Sequence, residues 1–233
     1  MHPWILVAAL TSCGGCGDSV SGSTSASQAT ATIAPMLETG ALIYTKGDCL
    51  AVRVYTGSRV THVAAVVLKP EGAWVYDSTS GVGVRKLPLA EYLGTQSPGG
   101  LIVCRPRRPM SDEQACDFET YLESQIGRSY SVKHHLTGRR NDGIHCAEYA
   151  TEALLTTELI TANNPVRVSP ASLLEGVLQN GIYQPAFDGE LIAAPTEAEA
   201  APRDEGRCRR MWRETKECCS NCCRKLSGWV LCR

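Results

Sequence analysis

The sequence predicts an α+β fold in which an antiparallel sheet packs against helices, followed by a small cysteine-rich tail. Short β-branched and apolar runs, punctuated by Gly, Pro and Asp, occupy the first half of the central region, and segments with helical periodicity occupy the second half. Strands grouped ahead of helices are typical of this fold class. The 233 residues are 43% hydrophobic and 20% charged, a composition typical of a globular protein. A wholly disordered chain is therefore excluded.

Each predicted element follows from a local pattern. The predicted strands are β-branched or apolar runs at 41–44, 51–55, 60–68, 73–77 and 101–105. The predicted helices have apolar residues three and four positions apart and lie at 112–126, 146–155 and 171–178. Ser169 before Pro170 is a residue pair that commonly begins a helix, and it is expected to cap the last of these.

The N-terminus has the pattern of a bacterial lipoprotein signal. Residues 4–10 are a short apolar run, and Leu10-Thr11-Ser12-Cys13 resembles the lipobox, in which the chain is cut before the cysteine and the cysteine is acylated. Acylation would hold the protein on a membrane, so the expected location is the bacterial cell envelope. A short apolar segment with an incidental cysteine is the alternative, because no Lys or Arg precedes the run.

Composition divides the chain into five segments. Residues 14–32 are dominated by Gly, Ser, Thr and Ala, which favours a flexible tether. A stretch rich in Ala, Glu and Pro after residue 186 has the composition of a linker. The predicted organisation is a signal peptide at 1–12, a lipidated Cys13 with its tether at 13–39, a folded domain at 40–185, a linker at 186–206 and a basic cysteine-rich tail at 207–233.

Six of the twelve cysteines lie in the last 26 residues. An even number is consistent with three disulfides in an exported module, and a zinc site that includes Cys219 and Cys222 is the alternative. Cys104 and Cys116 are expected as buried thiols or as one disulfide. Residues 203–233 carry nine basic and four acidic residues, but a short basic appendage is more often solvated than bound to nucleic acid. No nucleic-acid partner is therefore expected.

Cys146 is the candidate nucleophile. Asn141, Asp142 and Gly143 have turn and capping propensity, so Cys146 is expected in the first turn of the helix that follows. At that position, backbone N–H groups and the helix dipole favour a thiolate, and a nearby histidine lowers the pKa of the thiol further. The same N–H groups are suited to stabilising an oxyanion. Glu148 is expected to face away from the domain and is assigned no catalytic role.

His62 is the candidate base, and Asp77 is its candidate partner. His62 interrupts an apolar row on one face of a predicted strand. If residues 69–72 form a four-residue hairpin loop, Leu68 pairs with Ala73. Asp77 then lies diagonally beside His62 on the same face, where its carboxylate can fix the imidazole tautomer. A loop of three or five residues would instead place Asp77 on the opposite face.

On its own, a helical cysteine or a strand histidine is more often structural than catalytic. The order of several segments, however, resembles the permuted papain-like cysteine amidases of the YaeF/YiiX type, a branch of the NlpC superfamily. The matching segments are Glu38-Thr39-Gly40-Ala41-Leu42-Ile43, Thr61-His62-Val63, Val75-Tyr76-Asp77-Ser78, Gly127-Arg128-Ser129-Tyr130, His145-Cys146-Ala147-Glu148 and Ser169-Pro170-Ala171-Ser172-Leu173. The resemblance implies a circularly permuted papain-like fold, in which the histidine strand precedes the nucleophile helix. It implies Cys146 as the nucleophile, His62 as the base and Asp77 as the third member of a catalytic triad, at a position where the family often has Glu.

The expected function is that of an exported cysteine hydrolase. The resemblance implies cleavage of amide bonds, or of ester or thioester bonds, in wall peptides or in acylated lipids and proteins. Tyr130 and Tyr44 are the candidate substrate-binding residues. Neither a cofactor nor a metal is expected, since His134 and His135 fit an exposed loop. The alternative is a non-catalytic module on the same fold that binds the wall or another protein. The sequence does not indicate an oligomeric state.

Overall fold

Helices cover both faces of a mainly antiparallel sheet. The computed structural model describes residues 23–47, 57–96, 99–132, 135, 138 and 142–192. The strands are β1 (Ser23–Ser25), β2 (Leu42–Lys46), β3 (Val60–Lys69), β4 (Gly72–Thr79), β5 (Gly83–Pro88), β6 (Gly99–Pro106) and β7 (Tyr183–Ile192). Their order in the sheet is β1-β7-β6-β2-β3-β4-β5, and every neighbouring pair is antiparallel except β1 with β7. The predicted α+β class with an antiparallel sheet is confirmed.

The helices form two layers, one on each face of the sheet. Those described are α1 (Ala26–Ile33), α2 (Leu89–Gln96), α3 (Asp112–Ser124), α4 (Cys146–Thr156) and α5 (Pro170–Gln179). Buried side chains of α1 and α2 pack in one core with Ala64 and Val66 of β3. Those of α3, α4 and α5 pack in a second core with Val63, Ala65 and Val67 of the same strand. Because both of its faces are covered, β3 is apolar along most of its length rather than alternating.

The helices predicted in the second half are found as α3, α4 and α5, with ends within two residues of those expected. The α5 helix begins as its sequence indicates, because the Ser169 hydroxyl accepts a hydrogen bond from the Ser172 N–H at 3.1 Å and Pro170 occupies the first helical position. These ends depend on adjacent residues alone. Local sequence therefore predicts them well.

The β3–β4 hairpin sets the position of the candidate base. Leu68 pairs with Ala73 and Lys69 with Gly72, which is the predicted register. The strands continue to Lys69 and Gly72, so the connection is two residues shorter than the four-residue loop expected. Removing one residue from each end of a loop keeps the same faces opposed, and the consequence for Asp77 is unchanged.

The described part of the predicted tether is folded, which corrects the boundary at residue 39. A capping box begins α1, since the Ser25 hydroxyl accepts from the Gln28 N–H and the Gln28 side chain accepts from the Ser25 N–H. Ala29 and Ile33, one turn apart, are fully buried. Composition alone does not predict this helix. Ala29 is small enough for close packing, and Ile33, one turn later, supplies the buried apolar area.

Replacing Ile33 by alanine is expected to lower the free energy of unfolding by about 2–5 kcal/mol, because the lost methylenes leave a cavity in a closed core. Urea denaturation followed by circular dichroism measures this loss. Ser27→Ala, on the exposed side of α1, is the control and should cost less than about 0.5 kcal/mol. If both variants have the wild-type stability, α1 is not part of the fold.

The predicted linker also begins too early, because β7 continues to Ile192 rather than ending before residue 186. Phe187 and Leu191 are buried while Asp188 and Glu190 are exposed. This alternation is the pattern of a strand with one face on a core. Pro185 makes this segment look unlike a strand in the sequence, because proline is rare inside strands. The structure accommodates it with a bulge opposite Val103 and Cys104.

Some predictions fall on segments for which no structure is described. These are the signal peptide at 1–12, Cys13, the strand at 51–55, the remainder of the linker and the tail at 207–233. Within the described ranges, no helix combines the length and the hydropathy needed to cross a bilayer.

Candidate active site

His62 and Asp77 meet just beyond the last paired residues of the β3–β4 ladder, Ala65 and Tyr76. The His62 imidazole donates from Nε2 to Oδ2 of Asp77 at 3.1 Å. The Asp77 side chain is 1% exposed, whereas that of His62 is 17% exposed. The structure thus brings together the two side chains that the hairpin register predicts as neighbours. Their contact leaves the Nδ1 atom of His62 for another partner.

Arg85 holds the far side of the same carboxylate and is absent from the sequence prediction. It lies directly across from Asp77 in the β4–β5 pair. Its Nε donates to Asp77 Oδ1 at 2.7 Å, and its Nη2 donates to Oδ2 at 3.2 Å. The sequence has a signal that could have revealed it, because Gly81 and Gly83 indicate the turn between β4 and β5, and both adopt a positive φ there.

Cys146 is the first residue of α4, as predicted. Its side chain is 4% exposed and hydrogen-bonds to both His62 and His145. The first backbone hydrogen bond of the helix runs from the Tyr149 N–H to the His145 carbonyl. The N–H groups of Cys146 and Ala147 precede that bond and lie at the positive end of the helix dipole. The nucleophile, base and carboxylate candidates therefore form one continuous cluster.

Electrostatics within the cluster favour a thiolate beside an imidazolium. Burial by itself would raise the pKa of the Cys146 thiol, but the positive charge of His62 and hydrogen bonds from His145 and His62 lower it below the ordinary value. Burial by itself would lower the pKa of His62, but the charge of Cys146 and the hydrogen bond to Asp77 raise it. The two shifts have opposite signs and widen the pH range in which both groups are charged.

Asp77 remains ionised although it is buried. Burial by itself would raise the pKa of its carboxyl group, but hydrogen bonds from His62 and Arg85 outweigh burial and lower the pKa below its usual value. A carboxylate in this state can orient an imidazole and stabilise its positive charge. Asp77 therefore has the charge that the role of third member requires.

His145 caps the start of α4. Its Nδ1 accepts from the Glu148 N–H at 3.3 Å, and its Nε2 donates to the Val166 carbonyl at 3.2 Å. His145 therefore fixes the start of the helix on which Cys146 lies. Burial by itself would lower the pKa of this imidazole, but its hydrogen bond with Cys146 raises it.

Glu148 is buried, which corrects the expectation that it faces away from the domain. Its side chain is 1% exposed, and its Oε2 lies 3.8 Å from the Nε2 of His145. The expectation assumed a helix with one solvent face. The residues from Cys146 to Thr151 are all buried, so the first turns of α4 have no such face.

The two tyrosines predicted to bind substrate have different environments. Tyr130 is half-buried, and its backbone bridges to Ile144, two residues before Cys146, so its backbone lies near the start of α4. Tyr44 is fully buried in the core with α3, α4 and α5 and cannot line an open cleft. It lies on β2 between β3 and β6, where both faces of the sheet are covered. The prediction for Tyr44 is therefore wrong.

The remaining cysteine and histidine predictions concern thiols and metals. Cys104 and Cys116 are both free in the structure; Cys104 is buried, but Cys116 is exposed, which corrects its predicted burial. His135 packs edge to face against His145, with ring centroids 5.4 Å apart, whereas His134 falls outside the described residues. No group of three or more potential metal ligands occurs among the described side chains.

The fold and the site together define an α+β protein with a Cys-His-Asp cluster at the start of a buried helix. No protein-family model matches the chain. No curated protein matches it either. Among solved structures, it is similar to the metalloprotein yiiX from Escherichia coli O157:H7, at 17% sequence identity and a TM-score of 0.44, over 71% of this chain and 93% of that one. At this identity and score, the similarity assigns neither an activity nor a metal to this chain.

Proposed function

We propose that the protein is a cysteine hydrolase of the permuted papain-like type. The observation that carries the proposal is the continuous contact from Cys146 through His62 to Asp77. A structural cysteine has no need of an adjacent imidazole, and a structural histidine has no need of a buried carboxylate that keeps it charged. The chain order also supports this type, since the histidine strand β3 precedes the cysteine helix α4.

The cluster supports acyl transfer through a thioester. The Cys146 thiolate attacks the carbonyl carbon, and the developing oxyanion is stabilised by the N–H groups of Cys146 and Ala147 at the start of α4. The protonated His62 gives its proton to the leaving group as the bond to carbon breaks. His62 then removes a proton from water, the resulting hydroxide attacks the thioester, and the acid leaves while the Cys146 thiolate and the protonated His62 are restored. Asp77 orients His62 throughout these steps.

The substrate class follows from this chemistry and from the sequence pattern. A thiolate with a histidine acid suits amide bonds first, and ester or thioester bonds second. Wall peptides and acylated lipids or proteins are the proposed substrates, because the N-terminal pattern indicates a lipoprotein of the bacterial cell envelope. Tyr130, beside the start of α4, is the proposed substrate-binding residue.

Mass spectrometry of the reaction products tests the proposal. The full chain and its Cys146→Ala variant are each incubated with purified wall peptides and, separately, with acyl lipids, and the products are identified by their masses. The wild-type protein should cleave one substrate class and carry a transient acyl adduct on Cys146, because the thioester is an obligatory intermediate. The variant should reduce turnover by at least about 1,000-fold. Cys116→Ala removes an exposed thiol from α3 and is the matched control with unchanged turnover.

Two results would contradict the proposal. The first is turnover by Cys146→Ala at the wild-type rate. The second is saturable binding of wall peptides by both proteins with no product and no adduct, which would instead favour a non-catalytic binding module.

A further inference from the structure

Arg85 is the outermost member of a chain of side chains that begins at Cys146. Cys146 contacts His62, His62 contacts Asp77 at 3.1 Å, and Asp77 contacts Arg85 at 2.7 and 3.2 Å. We propose that Arg85 is a positioning residue that holds Asp77 against His62 and sets the pH range in which Cys146 is a thiolate. This inference rests on the proposed function and deepens it.

The positioning follows from the geometry of the carboxylate. Arg85 occupies Oδ1 with Nε and shares Oδ2 with His62. A two-point contact from a planar guanidinium prevents the carboxylate from rotating, so that Oδ2 keeps its direction towards His62. Arg85 lies opposite Asp77 on paired strands, and the sheet therefore sets the distance between their backbones.

The effect on pH range follows from the sign of the charge. The guanidinium is permanently positive, whereas the charge of His62 depends on pH. A fixed positive charge stabilises the deprotonated form of every titratable group near it. Arg85 keeps Asp77 ionised and favours the Cys146 thiolate, while it offsets part of the negative charge that stabilises the His62 imidazolium. Removing this charge should therefore raise the pKa of both Cys146 and His62.

The groups that surround this chain supply no substitute for Arg85 at Asp77. His145, at the start of α4, interacts with Cys146 rather than with Asp77, and the hydrogen bond to Cys146 raises the pKa of this imidazole although burial by itself would lower it. Tyr92 of α2 and Tyr149 of α4 are buried, which raises the pKa of each and keeps both phenols neutral. Glu91 of α2 acts on Arg85 itself and is acidic. The titratable and charged groups that form this chain or face it are His62 on β3, Asp77 on β4, Arg85 on β5, Glu91 and Tyr92 on α2, and His145, Cys146 and Tyr149 at the start of α4.

The test compares Arg85→Gln and Arg85→Lys with the wild-type full chain and needs no substrate. The ultraviolet absorbance of the thiolate, referenced to a Cys146→Ser form of each protein, gives the titration midpoint of Cys146. Histidine NMR, with His62 assigned by its loss in His62→Gln, gives the midpoint of His62. Both midpoints should rise by about 0.5 to 1 unit in Arg85→Gln, a change of about threefold to tenfold in each proton-binding constant.

Arg85→Lys keeps the charge but loses the planar two-point contact, so its midpoints should lie between those of the wild type and Arg85→Gln, with a lower turnover number. It also keeps the proposal testable if Arg85→Gln does not fold. Lys69→Gln breaks an ion pair of similar exposure, between Lys69 and Glu119, at a distance from the cluster, and should leave both midpoints unchanged. This control separates the loss of a general surface charge from the loss of Arg85.

The outcomes distinguish the two proposals. Wild-type midpoints in Arg85→Gln, or lower ones, overturn the role of Arg85 and leave the proposed hydrolase in place. Arg85→Lys with both wild-type midpoints and wild-type turnover also overturns the positioning role. If the wild-type protein itself forms no thiolate at Cys146 below the range of an ordinary thiol, the proposed function fails, and the role of Arg85 fails with it.

Discussion

Replacing His62 by glutamine is expected to lower the alkylation rate of Cys146 at neutral pH by about 100-fold or more. The positive charge of His62 is the first of the effects that lower the pKa of this buried thiol. Without it, burial dominates, as it does for Cys104, where burial raises the pKa to about 12. Glutamine retains a side-chain amide that can donate to Asp77 but cannot take up a proton.

Iodoacetamide labelling at a series of pH values, with mass spectrometry of each cysteine peptide, measures this effect. Cys116 is exposed in the same molecule and serves as the internal reference thiol. His135→Gln makes the same replacement at a nearby histidine and should leave the rate of Cys146 within about twofold of the wild type. Equal labelling of Cys146 in wild type and His62→Gln would show that the imidazole does not activate the thiol.

Replacing Asp77 by alanine is expected to lower the free energy of unfolding at neutral pH by about 3–5 kcal/mol, because Arg85 and His62 lose the carboxylate that pairs with both of them. The loss should depend on pH. The pKa of Asp77 is lower in the folded protein than in the unfolded chain. Its ionised form therefore contributes stability above the unfolded pKa of about 3.9, and that contribution disappears as the pH falls through the folded pKa.

Urea denaturation of wild type and Asp77→Ala, at neutral pH and again below about pH 3, measures both the loss and its disappearance in acid. Asp188→Ala is the control, because Asp188 pairs with Lys46 on the surface, where its side chain is 52% exposed. An exposed pair of this kind should contribute less than about 1 kcal/mol. A loss at Asp77 no larger than the loss at Asp188 would contradict the ion pair described here.

The sequence predicts well those features that depend on neighbouring residues. The start of α5 follows from Ser169 and Pro170, and the position of Cys146 in α4 follows from the turn residues before it. The contact between His62 and Asp77 is also local in this sense, because a short hairpin connects their strands and parity decides which residues share a face.

The failed predictions share a dependence on distant segments. Tyr44 is predicted to bind substrate, yet α3, α4 and α5, from later in the chain, form the core that buries it. A helix with one solvent face predicts that Glu148 is exposed, but the first turns of α4 are buried all round. Composition predicts a tether around Ile33, because the segment is poor in large apolar residues, but a core formed largely by later strands accommodates it.

By itself, the sequence determined the α+β class, the three helices of the second half, the placement of Cys146 at a helix start and, for a hairpin loop of even length, the pairing of His62 with Asp77. Only the tertiary structure decided that α4 brings its thiol to that pair and that Arg85 holds the carboxylate from the next strand. The reason is physical: hydrogen bonds and turns select among a few local conformations, whereas the meeting of distant segments depends on how all the buried faces pack together.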